Sequence, residues 1–158
     1  MKRITTNPAV CTGCRACEMA CSFSHTDMFS SDLARIHIAK REDRGIDRPI
    51  VCQTCQHPPC VEVCPVDALA RDQEDGHIIV DDEACIGCGL CAQACPYLAI
   101  SYHRETSVPL ICDLCDGDPA CIKRCVTRAI RFEDPSSQLA RQRNQLAGKI
   151  SSNREESP

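Results

Sequence analysis

Sixteen cysteines in 158 residues fall into four groups of four. They are Cys11, Cys14, Cys17 and Cys21; Cys52, Cys55, Cys60 and Cys64; Cys85, Cys88, Cys91 and Cys95; and Cys112, Cys115, Cys121 and Cys125, with none left over. The third group, CIGCGLCAQACP, has the spacing C-x2-C-x2-C-x3-C-P. In that pattern three close thiolates hold one [4Fe-4S] cube and the fourth reaches across to another. Four such groups predict four [4Fe-4S] clusters and a chain that carries single electrons.

Two other uses of so much cysteine fit less well. A disulfide framework belongs to secreted chains, whereas the opening MKRITTNPAVC lacks the apolar stretch of a signal peptide and no segment approaches membrane-spanning length. The expected location is therefore cytoplasmic, without membrane insertion. Zinc closes a tetrahedron with two separated C-x2-C pairs; a third cysteine three residues further on, in groups one and three, suits the face of a cube. Composition agrees, since only 3% of residues are aromatic and there is no Trp. Such a chain has no large aromatic core, so the clusters must act as internal staples and the metal-free chain is expected to be largely unfolded. The formal charge of −4 omits the clusters, and sixteen thiolates with four oxidised cores bring the loaded chain to roughly −12. Nucleic acid is not an expected partner.

The elements that position these thiols follow from the spacers. The third group is that of bacterial ferredoxins, whose units join two cysteine groups through a β-hairpin. After Cys64, the stretch PVDALARDQEDGHIIVDDEAC holds an acidic turn at Asp75-Gly76 and a short apolar strand from His77 to Val80, a hairpin signal. Groups two and three are thus expected to form one unit, residues 50–103, closed by a strand from Leu98 to Tyr102. Groups one and four are left to pair through 1–49 and 104–132. Pro65 and Pro96 follow the last cysteines of groups two and three, where Ser22 and Val126 stand in the others; proline holds the preceding residue extended. A compact group also pairs with a widened one, although pairing one with two and three with four meets this test equally.

Cross-ligation then assigns Cys11, Cys14, Cys17 and Cys125 to one cube and Cys112, Cys115, Cys121 and Cys21 to its neighbour. Cys52, Cys55, Cys60 and Cys95 hold a third, and Cys85, Cys88, Cys91 and Cys64 a fourth. Gly13 and Gly87 sit where a positive φ lets backbone N–H groups approach the sulfides.

Taken together, CTGCRACEMACSFSH, HPPCVEVCPVDAL, CIGCGLCAQACPYLAI and CDLCDGDPACIKRC resemble the four-cluster ferredoxin-like subunits that accompany molybdenum and tungsten enzymes, hydrogenases and carbon monoxide dehydrogenase. The likeness spans residues 1 to 132, and the opening group is most similar to the iron–sulfur subunit of multi-subunit tungsten aldehyde oxidoreductases. It implies an α+β fold of two ferredoxin-like 2[4Fe-4S] units, the second inserted into the first, followed by a C-terminal tail. It also implies a non-catalytic electron-transfer subunit, set between a tungsten- or molybdenum-pterin catalytic subunit and a flavin or ferredoxin partner, in an assembly of unspecified order. An autonomous polyferredoxin, or the equivalent subunit of a hydrogenase or carbon monoxide dehydrogenase, is the alternative. The chain departs from many relatives in having Cys-Val-Thr, not Cys-Pro-Thr, in group four.

Other candidates for chemistry are few. His25, four residues after Cys21, could hydrogen-bond a cluster sulfur, cap its helix or meet a partner. His57, before Pro58-Pro59, reads as a turn residue. The carboxylates lie on charged stretches expected to be solvated, and no phosphate loop, G-x-G-x-x-G or Ser/His/Asp grouping occurs. From Asp32 to Arg48 an alternating strand, Arg35–Ile38, leads into a charge-mixed loop that offers a docking surface. From residue 133 the chain turns polar; Leu139, Arg143, Leu146 and Ile150 would place one apolar stripe on a helix starting near Ser137. That stripe suits partner docking, and a frayed tail is the alternative.

Overall fold

A computed structural model of the chain describes residues 1–144. Its eight short strands form four separate antiparallel ribbons. β1 (Arg3–Thr6) pairs with β8 (Ile130–Glu133), Ile4 opposite Phe132, so the first and last parts of the cysteine-bearing chain lie side by side. The other ribbons are local hairpins: β2 (Ile36–Arg41) with β3 (Ile46–Val51), β4 (Leu69–Arg71) with β5 (Ile78–Val80), and β6 (Ser101–Tyr102) with β7 (Pro109–Leu110).

Each cysteine group feeds one helix: α1 (Ala16–Thr26), α2 (Pro59–Glu62), α3 (Leu90–Ala94) and α4 (Ala120–Arg124). The third cysteine of every group, Cys17, Cys60, Cys91 or Cys121, is the second residue of its helix and is buried. α1 packs against α4, and α2 against α3. The residue after the fourth cysteine bears on helix length. Ser22 lets α1 run five residues past Cys21, while Cys95 and Cys125 are extended (ψ 112° and 93°) and end α3 and α4. Val126 thus makes the same exit as Pro96: the Arg128 N–H donates to Cys125 O at 3.1 Å, as the Leu98 N–H does to Cys95 O at 3.2 Å. The missing proline leaves the local backbone unchanged.

Two cores hold these pieces. Ile4, Ile36, Ile38, Val51, Leu114 and Ile130 gather with Cys17, Cys21, Cys112 and Cys121 in one. Leu69, Ile78 and Ile111 gather with Cys60 and Cys91 in the other.

The expected hairpin around Asp75-Gly76 is present: the Asp72 carboxylate accepts the Glu74 and Asp75 N–H groups at 2.8 and 3.0 Å, and Gly76 has φ +79°. Three expectations need correction. The charge-mixed segment after Ile38 is not a loop but the far half of the β2–β3 hairpin. Ile36 and Ile38 face Val51 and Pro49 across it, while the charges crowd its exposed tip. The strand from Leu98 shrinks to Ser101–Tyr102, because Leu98 takes a left-handed turn (φ +53°) after Cys95. The C-terminal helix starts at 135 rather than 137: Asp134 accepts the Ser136 N–H at 3.0 Å, and Pro135 fits the first helical position. Leu139 on it is about half exposed; Leu146 and Ile150 lie outside the described residues.

Candidate metal centres

Three apolar cavities are each lined by four cysteines. Cys11, Cys14, Cys17 and Cys125 line one; Cys52, Cys55, Cys60 and Cys95 a second; Cys64, Cys85, Cys88 and Cys91 a third. Of the remaining four, Cys21, Cys112 and Cys121 share one core, and Cys115 lies with His25 and Asp113, their ligand atoms within 4.8 Å of one another, while His25 Nδ1 stands 4.0 Å from Cys21 Sγ. In each set three cysteines come from one group and the fourth from another.

The turns that bring the thiols together are left-handed. Gly13 and Gly87 have φ of +63° and +64°. The corresponding residues of groups two and four, Thr54 (φ +47°) and Leu114 (φ +62°), adopt the same conformation without being glycine. Gly13 has a second constraint, since a Cβ there would collide with the Asp47 carboxylate on β3. Gly13→Ala should therefore cost at least the ~1–2 kcal/mol of a left-handed L-residue and shorten the thermal lifetime of the visible iron–sulfur absorption. Gly45→Ala is the control: its φ is +59°, but nothing lies within 4 Å of a Cβ. Equal losses from the two variants would show that the contact with Asp47 is immaterial.

His25 meets sulfur at the long end of a hydrogen bond, its Nδ1 4.0 Å from Cys21 Sγ, and makes shorter contacts elsewhere: Nδ1 lies 2.7 Å from Cys21 O and Nε2 3.0 Å from Asp113 Oδ2. Asp113 also accepts the Cys115 N–H at 3.1 Å and pairs with the Arg35 guanidinium, while the Arg35 backbone N–H donates to Cys21 Sγ at 3.2 Å. The hydrogen bond to Asp113, then those to Cys115 and Cys21, hold the imidazole protonated and push its pKa up to about 12. Burial opposes ionisation of Asp113, but the His25 and Cys115 hydrogen bonds and the Arg35 charge take it well below the carboxylate range. The raised His25 value contributes stability that is complete below its ordinary pKa of about 6.5 and is lost as pH climbs toward 12. The Asp113 contribution is present above about pH 4 and disappears only in stronger acid. His25→Gln should therefore lower the thermal midpoint more at about pH 6 than at about pH 9. An equal drop at both would sink this account of the pair.

Glu18 is a functional-site neighbour that the sequence reading misses. It is 2% exposed, far from the solvated setting expected of carboxylates here; its Oε1 accepts the Ile38 N–H at 2.6 Å, and Arg15 stands 3.6 Å from Oε2. A signal existed, because Cys17, Glu18, Cys21 and Ser22 share the buried face of α1. His57 lies in an exposed bend before Pro58.

The donor set fits iron–sulfur clusters. Burial pushes the Cys17 and Cys60 thiols up to about 12 and Cys52 to about 11, so without metal these groups stay neutral in an apolar setting. Iron bound to them would reverse that preference, since a coordinating thiol is deprotonated outright. No helix among the described residues is long and apolar enough to cross a membrane.

Comparison with known proteins bears on the same cysteines. A family described as a 4Fe-4S dicluster domain matches residues 45–135, and one described as a 4Fe-4S binding domain matches residues 8–24. The polyferredoxin-like subunit of aliphatic sulfonate oxidoreductase from Pyrococcus furiosus is 38% identical over 122 residues, which is 77% of this chain and 70% of that one. A ferredoxin of Methanocaldococcus jannaschii, described as uncharacterised, is 38% identical over 145 residues, 91% of this chain and 80% of its own. Among solved structures, the active site complex BamBC of benzoyl coenzyme A reductase with 1,5-dienoyl-CoA superposes with a TM-score of 0.51 at 23% identity, over 85% of this chain and 79% of that one. That likeness is one of fold alone.

Proposed function

The chain belongs to the 4Fe-4S dicluster family of iron–sulfur electron-transfer subunits, and from that premise we propose that it relays single electrons through four [4Fe-4S] clusters between a catalytic subunit and a second redox partner. The observation that carries the proposal is that twelve cysteines line three cavities in sets of four, each set drawing its fourth member from another group. Cys11, Cys14, Cys17 and Cys125 would hold the first cluster; Cys112, Cys115, Cys121 and Cys21 the second; Cys52, Cys55, Cys60 and Cys95 the third; Cys85, Cys88, Cys91 and Cys64 the fourth. When bound, each cluster takes up and returns one electron, at a potential set by hydrogen bonds to sulfur and by solvent exposure.

The protein's part is to hold the sets rigidly and in series. Cys17, Cys21, Cys112 and Cys121 share one core, which joins the first set to the second, and Cys52 packs against that core and joins it to the third. Cys60 and Cys91 share one core and so link the third to the fourth. The two exposed cysteines, Cys14 and Cys88, belong to the first and fourth sets, where a relay must meet its partners. The β1–β8 ribbon and the α1–α4 contact support a unit of 1–49 with 104–132, into which 50–103 is inserted.

The partner's class rests on the opening group, CRACEMACSFSH, whose resemblance favours a tungsten- or molybdenum-pterin subunit, with a flavin subunit or ferredoxin at the other end and a cytoplasmic location. Anaerobic affinity purification from the native host, with metal analysis of what co-purifies, tests it. A pterin subunit carrying tungsten or molybdenum is the expected result. A full-length chain that is monodisperse and alone would favour the autonomous polyferredoxin instead.

A further inference from the structure

The geometry points to Tyr102 as a tuning residue: its hydroxyl donates a hydrogen bond to the Cys91 thiolate and raises the reduction potential of the cluster held by Cys64, Cys85, Cys88 and Cys91 above what the cysteines alone would set. This rests on the four-cluster reading and deepens it at one site. Tyr102 is on β6, opposite Pro109 of β7, and both residues line the cavity of that set. Its Oη lies 3.5 Å from Cys91 Sγ and 3.3 Å from the Ala92 amide nitrogen.

The direction of the first bond follows from counting protons. A phenol has one proton to give and lone pairs to receive with. The Ala92 N–H can only donate, so it occupies a lone pair and leaves the phenolic proton free. A ligating thiolate carries no proton, so the bond between oxygen and sulfur must run from the hydroxyl to Cys91. Two fixed contacts, one accepted and one donated, also hold the hydroxyl in a single orientation.

The effect on potential follows from charge. Reduction adds one negative charge to the cluster and its ligands, and a donor aimed at sulfur stabilises the more negative state more. The other tyrosine offers a contrast: Tyr97 lines the cavity of Cys52, Cys55, Cys60 and Cys95, yet among the described residues its hydroxyl bonds no sulfur and the side chain is half exposed. The nearest comparable hydroxyl, Thr127, stands 3.8 Å from Cys125 Sγ and is a weaker donor. The fourth set is thereby distinguished from the first and third.

The test uses the full chain, purified anaerobically, with iron and sulfide counted before any titration. In Tyr102→Phe, redox titration followed by electron paramagnetic resonance should show one component falling by roughly tenfold in its reduction equilibrium, about 59 mV for one electron, with the iron content unchanged. That component should be the one altered by Cys91→Ser. Unmoved potentials at full iron content would overturn the inference and leave the four-cluster reading standing. Iron well short of four clusters in the wild type would sink the broader reading instead. Should Tyr102→Phe lose its cluster, the wild type decides: after exchange into deuterated water, the reduced fourth cluster should show a coupled exchangeable deuteron from a hydroxyl. Its absence would overturn the inference.

Discussion

Stripping the iron with a chelator should abolish the fold, taking the far-ultraviolet signal of helix and ribbon with the visible absorption in one step. The anaerobic protein should first contain on the order of sixteen iron and sixteen sulfide per chain, four of each per cluster. Unfolding is expected because nothing else can carry the structure. α2, α3 and α4 are four or five residues long, well below the ~12–15 at which an isolated helix is even marginal in water. Every sheet among the described residues has two strands, and a lone hairpin is marginal as well. The two cores bury nine Ile, Leu and Val side chains. Each is worth about 1.5–3 kcal/mol, against a backbone ordering cost of about 1–2 kcal/mol for every residue. The third cysteines sit in those cores at the start of each helix, so ligation fixes helix and core together. Protons compete with iron for thiolate, so loss under chelator should quicken as pH falls and slow as it rises. A chain that keeps its fold after losing iron, or that is purified stably folded with zinc in iron's place, would refute this.

The cysteine spacing was legible because a ligand pattern is local: three thiolates must reach one cube from one turn, whatever surrounds them. Gly13 and Gly87 were legible for the same reason, since glycine advertises a positive φ. Thr54 and Leu114 in the equivalent turns were not, because a left-handed L-residue costs only about 1–2 kcal/mol and gives no sign in the sequence. The β2–β3 hairpin hid behind its own tip, where Lys40 to Arg44 concentrate charge and obscure the alternation of Ile36 and Ile38 with Pro49 and Val51. Asp113 was unreadable, because its role arises only when α1 and the segment entering β2 deliver His25 and Arg35 to it from 88 and 78 residues away. Tyr102 was placed correctly in a strand, yet its hydroxyl meets Cys91 only because the strand after Cys95 turns back across the third group.

Replacing Cys125 by serine should damage the cluster of Cys11, Cys14 and Cys17, more than a hundred residues away in sequence, and spare that of its near neighbours Cys112, Cys115 and Cys121. The expectation comes from the cavity, which Cys125 lines with the three cysteines of the first group and with none of its own. At most about a quarter of the iron should be lost, one cluster in four. Iron content alone cannot say which cluster failed, but pairs of substitutions can, because effects on one site do not add while effects on separate sites do. Cys14→Ser combined with Cys125→Ser should lose little more iron than Cys14→Ser alone, both having damaged a single cube. Cys115→Ser combined with Cys125→Ser should lose about twice as much as either. The reverse result, additivity with Cys14 and none with Cys115, would place Cys125 in its own group's cluster and break the pairing of groups one and four. The order of the relay would fall with it, since the first set, with its exposed Cys14, is one end of the series only if Cys125 closes it.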